Sequence, residues 1–191
     1  CYNAQSYLQH SVRQLIATQE PDGYLGTYLP QDRWKDWDVW AHKYNLLALL
    51  NYYQHTGYAP ALEASRKMGD LLCSVFGEGP GKKSIVVGDW HRGMASSSVL
   101  GSMAMLYRYT GEKRYLDFCY YVVRAWDAPE GPKLIASLMT TGSMEKTANA
   151  KAYEMTSNLV GLLDLYRLTS DTTLLEPVKR AWEDIVHHRL Y

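Results

Sequence analysis

Three stretches of this chain set polar side chains beside flat aromatic rings. Residues 19–28 read QEPDGYLGTY, with Asp22 and Tyr24, and are followed by Trp34, Trp37, Trp40, His42, Lys43 and Tyr44. Residues 88–93 read GDWHRG, with Asp89, His91 and Arg92, and lead into Ser96, Ser97 and Ser98. The third is Lys151-Ala152-Tyr153-Glu154-Met155. Gripping a sugar ring takes an aromatic face against its C–H side and charged hydrogen bonds to its hydroxyls, and these stretches offer both. The candidate substrate-binding residues are therefore Asp22, Tyr24, Trp40, His42, Tyr44, Asp89, His91, Arg92, Ser96, Lys151 and Glu154.

Each has a plainer structural reading. Trp34, Trp37 and Trp40 recur every third residue and could form one buried helix face. His42 can cap or pack, and the three serines can let two helices approach closely. Asp22 fits a Pro-Asp-Gly turn, and Asp89 and Glu145 are open to the same kind of reading. Lys151 and Glu154 stand three apart at a helix start and share one face, as a surface ion pair would. Directed into the middle of a ring of helices, such a pair is costly unless it meets water or ligand. Glycosidases generally work through two carboxylates. Asp22, Asp89, Glu145 and Glu154 are available, but no spacing selects a pair, so Glu154 is only a weak catalytic candidate. No nucleotide loop, zinc-ligand spacing, nucleophile elbow or metalloprotease motif occurs.

The elements that must position these residues repeat. Around Thr56, Thr110 and Thr169 the same frame recurs, with a Tyr three residues earlier (Tyr53, Tyr107, Tyr166) and a Leu six later (Leu62, Leu116, Leu175). Apolar residues at helical spacing flank each turn, which predicts three helical hairpins near 41–75, 95–126 and 152–188. Asp171 is placed to cap the second helix of the last one. The only strand-like alternation is the brief stretch 84–87. Within each hairpin the connection is short, while the connections before the first helices, roughly 20–40, 76–94 and 127–150, are long and rich in Gly and Pro. Antiparallel helices joined this way put the short turns on one rim and the long loops on the other, where binding residues usually sit.

The second helices carry more charge, so the first helices are expected inside and the second outside a curved double layer. Residues 1–19 then form an outer helix of an incomplete hairpin. Residues 1–191 thus predict an all-α fold, an (α/α) toroid of helical hairpins amounting to about half of an (α/α)6 barrel. Its two open edges would need the remainder of the barrel, or another chain, to cover them.

Composition narrows the partners. The 20 basic and 20 acidic residues balance, so no net field draws the chain to nucleic acid or an anionic membrane. No apolar run reaches the ~20 residues of a membrane helix. The 16 Tyr and 6 Trp against 2 Phe suit half-wet surfaces such as sugar clefts and helix seams. The three cysteines, Cys1, Cys73 and Cys119, form no CxxC pair, and Cys73 and Cys119 read as small buried hydrophobes. The start at Cys1 favours truncation over a lipidated terminus, because helix-forming residues follow at once. An extracytoplasmic location, periplasmic or secreted, is favoured, though no segment fixes it.

At these motifs the chain resembles glycoside hydrolase family 127, the β-L-arabinofuranosidase type. The resembling pieces are QEPDGYLGTY at 19–28, WAHKYNLLALLNYYQHTG at 40–57, LYRYTGEKRYLDF at 106–118, KAYEMTSNLVGLLDLYRLT at 151–169 and WEDIVHHRLY at 182–191. The resemblance implies an (α/α)6 barrel that removes terminal arabinofuranose, or a similar sugar, from plant polysaccharide. It also implies a zinc-bound cysteine nucleophile and a glutamate acid/base in the full-length enzyme, in motifs that would follow Tyr191. The fragment itself is then expected to carry no cofactor and to be inactive alone. Sugar-contacting histidines of the family fall near Ala48, Ser96 and Lys151 and an arginine near Glu154, so the chain is expected to be a divergent branch. Two other readings stay open: a non-catalytic helical repeat that binds glycan or protein, and a polysaccharide lyase or epimerase on the same toroid.

Overall fold

The computed structural model describes residues 2–87 and 90–190. Its helices are α1 (Tyr2–Ala17), α2 (Asp38–Thr56), α3 (Ala59–Val75), α4 (Met94–Ser97), α5 (Leu100–Thr110), α6 (Lys113–Asp127), α7 (Leu134–Thr141), α8 (Ala152–Thr169) and α9 (Leu175–His188). Among the described residues there is no strand, only one isolated bridge between Phe76 and Lys83. Residues 84–87 form a turn that buries Ile85 and Val86.

The repeated Thr explains itself in the hairpin turns. Its hydroxyl donates back one helical turn, from Thr56 to Tyr52 O (2.6 Å), Thr110 to Leu106 O (2.9 Å) and Thr169 to Leu165 O (2.9 Å). The same oxygen accepts the N–H two residues on, from Tyr58, Glu112 and Asp171. Between them sits a residue with left-handed backbone, Gly57 (φ 68), Gly111 (φ 66) or Ser170 (φ 59), whose N–H closes on the carbonyl of the repeated Tyr53, Tyr107 or Tyr166. This is a helix C-cap that glycine adopts without steric cost.

The first helices α2, α5 and α8 adjoin one another in one layer, and α3, α6 and α9 lie on the other side, with α1 against α3. Helices α6 and α9 segregate apolar from polar residues sharply, whereas α2 and α8 do not. That difference is expected when an inner helix meets the core on one side and a cleft on the other. Inner packing is closest where α5 crosses α8: a methyl on Gly161 would stand 2.8 Å from the Gly101 nitrogen. The core between the layers includes Leu46, Leu50, Met68, Leu72, Met103, Tyr115, Trp126 and Leu162, all fully enclosed.

The structure corrects several sequence expectations. The inner helix of the second hairpin is broken into α4 and α5, with Ser98 and Val99 at the break. Helix α7, hidden in the long 127–150 connection, packs on both α6 and α9. Asp171 caps a 3-10 turn, Thr172–Leu174, that precedes α9. The tryptophan triplet is not one helix face, because Trp34 has φ 68 and α2 starts only at Asp38.

Candidate functional site

The loop from 18 to 37 is anchored by a buried knot at the start of α2. Asp38, fully enclosed, accepts from the Tyr24 hydroxyl (2.8 Å) and the Trp34 N–H (2.8 Å), and His42 Nδ1 lies 3.0 Å from the Asp38 carbonyl oxygen. Burial pushes the Asp38 carboxyl up, but the bonds from His42, the Trp34 N–H and Tyr24 overcome it and hold the group below the usual carboxylate range. Burial, reinforced by Asp38, pushes the Tyr24 phenol up. Asp22 accepts from the Tyr24 N–H and pairs with Arg33 at 3.0 Å, while the Arg33 guanidinium lies 3.6 Å from the Tyr24 ring centroid.

This knot corrects part of the sequence reading. Tyr24 and His42, candidates for sugar contact, are 2% and 0% exposed and serve to fix the loop. Asp22 shapes the turn and holds Arg33. Trp34 packs on Tyr24, His42 and Phe76.

Beyond the knot the three stretches converge. The Trp37 ring stacks on Trp90 (centroids 6.1 Å apart, planes at 13°) and meets Trp40 and His91 edge-on. Trp40 packs on Tyr44, whose hydroxyl touches that of Tyr153 across the α2–α8 seam. Tyr44, Trp90 and Tyr153 remain exposed, so this aromatic cluster reaches solvent at the loop rim. Its polar floor comes from α8 and α2. Glu154 is 4% exposed, its Oε1 is 3.9 Å from His91 Nε2, and its enclosed Oε2 has no hydrogen-bond partner among the described residues. Lys43, 5% exposed, donates to Ser157 Oγ at 2.5 Å. Burial pulls the Lys43 ammonium below the usual lysine range, opposed by the charge of Glu154.

Asn158 locks this floor to the second stretch. Its amide donates to Met94 O (2.8 Å) and Glu154 O (2.7 Å), and its carbonyl accepts from Ser97 Oγ (3.0 Å). Asn149 Nδ2 lies 3.0 Å from His91 Nδ1 and joins the second loop to the third.

Of the remaining candidates, Trp40, Tyr44, His91 and Glu154 line this cleft, and Ser96 is buried in α4 close behind it. Arg92 is exposed, and Asp89 lies outside the described residues. Lys151 is exposed and forms no ion pair with Glu154, and the cation on which Glu154 acts electrostatically is Lys43. The sequence did hold a signal for Lys43: with Leu46 and Leu50 it makes an i, i+3, i+7 stripe, a lysine on an otherwise apolar face. Below Lys43 and Ser157 a groove of about 620 Å³ runs between α2, α5 and α8.

Among the described residues no three His, Cys, Asp or Glu side chains gather to hold a metal ion. Burial pushes the Cys73 thiol up to about 12 and raises that of Cys119, away from the thiolate a metal requires. No step below depends on the zinc that the resemblance implies for the full-length enzyme. No described helix is long and apolar enough to cross a membrane.

A double layer of helical hairpins, with an aromatic cluster and the buried Glu154 on its long-loop rim, defines a partial helical toroid. Residues 3–191 match the β-L-arabinofuranosidase, GH127 catalytic domain, and the chain belongs to that family. It is 28% identical over 211 residues to a non-reducing end β-L-arabinofuranosidase of Bifidobacterium longum subsp. longum, covering 93% of this chain and 31% of that protein. Two solved structures share the fold across 100% of the chain, each with a TM-score of 0.71. One is a GH127 β-arabinofuranosidase, 20% identical and covered over 32% of its length. The other is a GH127 β-L-arabinofuranosidase from Geobacillus stearothermophilus T6, 19% identical and covered over 33%. The chain therefore spans about a third of the length of these relatives.

Proposed function

We propose that the protein to which this chain belongs is a glycoside hydrolase that releases terminal arabinofuranose, or a closely related sugar, from plant-type glycans. This chain supplies the part of the pocket that holds the sugar. Family membership supports the reaction class, and the names of the relatives support the sugar. The single observation that carries the chain's role is the Glu154 carboxylate, enclosed beneath an aromatic cleft with Oε2 unpartnered among the described residues. An acceptor in that state is matched by a ligand hydroxyl.

Hydrolysis needs a second carboxylate or a nucleophile, and the described residues of this site assemble neither. Asp22 is engaged with Arg33 and the Tyr24 N–H, and Glu145 stands by Arg189 at 3.6 Å. The division of labour follows: this chain binds and orients the sugar, with Glu154 as hydroxyl acceptor, and the bond-breaking groups come from elsewhere in the barrel. Further hairpins of the barrel, or another chain, cover the apolar surface now exposed at Val160 on α8 and Trp182 on α9.

The test is hydrolysis of a β-L-arabinofuranosyl oligosaccharide by the full-length protein, with and without Glu154→Gln. The expected result is release of arabinose by the wild type and a loss of roughly 10-fold or more in kcat/KM in the variant. Unchanged kcat/KM would remove Glu154 from the site.

A further inference from the structure

Lys43 and Glu154 are both buried, carry opposite charges, and interact electrostatically, yet they form no salt bridge with each other. Instead the ammonium donates to Ser157 Oγ and lies 5.0 and 5.6 Å from the Tyr44 and Tyr153 ring centroids. The carboxylate meets only the long His91 contact at Oε1 and leaves Oε2 unpartnered among the described residues. Two opposite charges held apart in a cleft floor are costly unless something polar joins them. An ammonium has three donors and a carboxylate only acceptors, so a bridge needs an oxygen that accepts and a neighbouring hydroxyl that donates.

We propose that Lys43 is a substrate-binding residue, acting with Glu154 as a donor and acceptor pair that reads two adjacent hydroxyls of one neutral sugar ring. The inference rests on the sugar-binding reading above and deepens it. Lys43 supplies hydrogen bonds to the ring oxygens and Glu154 takes the hydroxyl protons, with no proton changing owner. The aromatic walls receive the C–H face. The paired charges cancel, so the site selects against a uronate, whose carboxylate would face the spare oxygen of Glu154.

Burial has a consequence for pH. The groups facing Lys43 are Tyr44 on its own helix, Tyr153, Glu154 and Ser157 on α8, and, through Glu154, His91 from the loop before α4, while Arg108 on α5 and Asp164 and Arg167 on α8 line the same groove. With its ammonium held below the usual lysine range, Lys43 loses its proton before an ordinary lysine does, and sugar binding falls with it.

The test is titration of the full-length protein with methyl arabinofuranoside and, separately, methyl galacturonide, followed by calorimetry across neutral to alkaline pH. Wild type, Lys43→Met and Lys43→Arg are compared. The expected result is binding of the arabinofuranoside in preference to the uronide and weakening as pH rises. Lys43→Met should lose roughly 10-fold or more and Lys43→Arg should recover part of that loss. Wild-type preference for the uronide, pH-independent wild-type binding, or Lys43→Met binding equal to wild type would each overturn the proposal while leaving the sugar site standing. Failure of the wild type to bind either glycoside would overturn the sugar-binding reading itself. Should Lys43→Met not fold, the ligand preference and pH profile of the wild type decide the matter.

Discussion

His91 Nε2 stands 3.9 Å from Glu154 Oε1, and this contact joins the loop before α4 to the first turn of α8 across the cleft. Asn149 fixes the ring. Its Nδ2 donates to His91 Nδ1, and its own side-chain oxygen accepts the Lys151 N–H at 3.4 Å. In the neutral imidazole the remaining proton is then on Nε2, facing the carboxylate. The cleft floor is thus set before any ligand arrives.

A prediction about stability follows from Glu154. Its enclosed Oε2 lacks a partner among the described residues, so Glu154→Gln, which removes the buried charge at nearly constant shape, should stabilise the fold while weakening sugar binding. An increase in Tm of roughly 2–4 °C corresponds to about 1 kcal/mol for a domain of this size. Calorimetry checks it. A lower Tm would mean the carboxylate is satisfied in the folded protein.

Trp90 and Trp126 should separate binding from folding. Trp90 is 50% exposed and stacks on Trp37, whereas Trp126 is 0% exposed between the helix layers. Trp90→Ala should weaken sugar affinity with little change in stability. Trp126→Ala should cost about 3–5 kcal/mol of folding free energy, read from urea unfolding. The reverse pattern would place the cleft elsewhere.

The α5–α8 crossing tolerates no side chain at Gly161. A Cβ there would meet the Gly101 backbone nitrogen at 2.8 Å, and backbone cannot swing aside. Gly161→Val should destabilise by at least ~1–3 kcal/mol, the usual range for overpacking. It should also disturb amide resonances of both α5 and α8. Wild-type stability would show that the helices do not cross this closely.

Asp38 makes an acid-side prediction. Its folded-state carboxyl is held below the usual range, so it contributes stability that is present above the unfolded value, about 3.9, and is lost as pH falls through the folded value. Asp38→Asn should therefore be clearly less stable than wild type at neutral pH, and the difference should shrink as the pH drops below about 4. Urea midpoints at several pH values measure this directly. A pH-independent difference would mean the charge of Asp38 contributes nothing.

Much of this architecture was legible in the sequence because it is periodic. The Thr frame specified three turns, and the turns proved to be closed by the repeated Thr hydroxyl and the repeated Tyr carbonyl. Short turns and long loops then implied the common rim on which Trp37, Trp90, His91 and Glu154 do meet. What periodicity does not report is whether an enclosed side chain faces core or cleft, since both remove it from water. His42 and Tyr24 looked like sugar ligands and fill the core, while Lys43, in the first polar and aromatic stretch but not among the sugar-binding candidates, lies buried beside Ser157. The triplet Trp34, Trp37 and Trp40 misled for another reason. Spacing by three implies one helix face only if the backbone is helical throughout, and it is left-handed at Trp34. Lys151 and Glu154 are three apart, but α8 begins between them, so one ends in solvent and the other below the rings.

The most direct test uses the six tryptophans as reporters. Indole N–H resonances of the isotope-labelled full-length protein, assigned by single substitutions, are followed during titration with an arabinofuranosyl oligosaccharide. Trp37, Trp40 and Trp90 are expected to shift together along one binding curve while Trp34, Trp126 and Trp182 hold still. Shifts confined to Trp182, or no shift at any indole when the sugar is in large excess, would contradict this expectation.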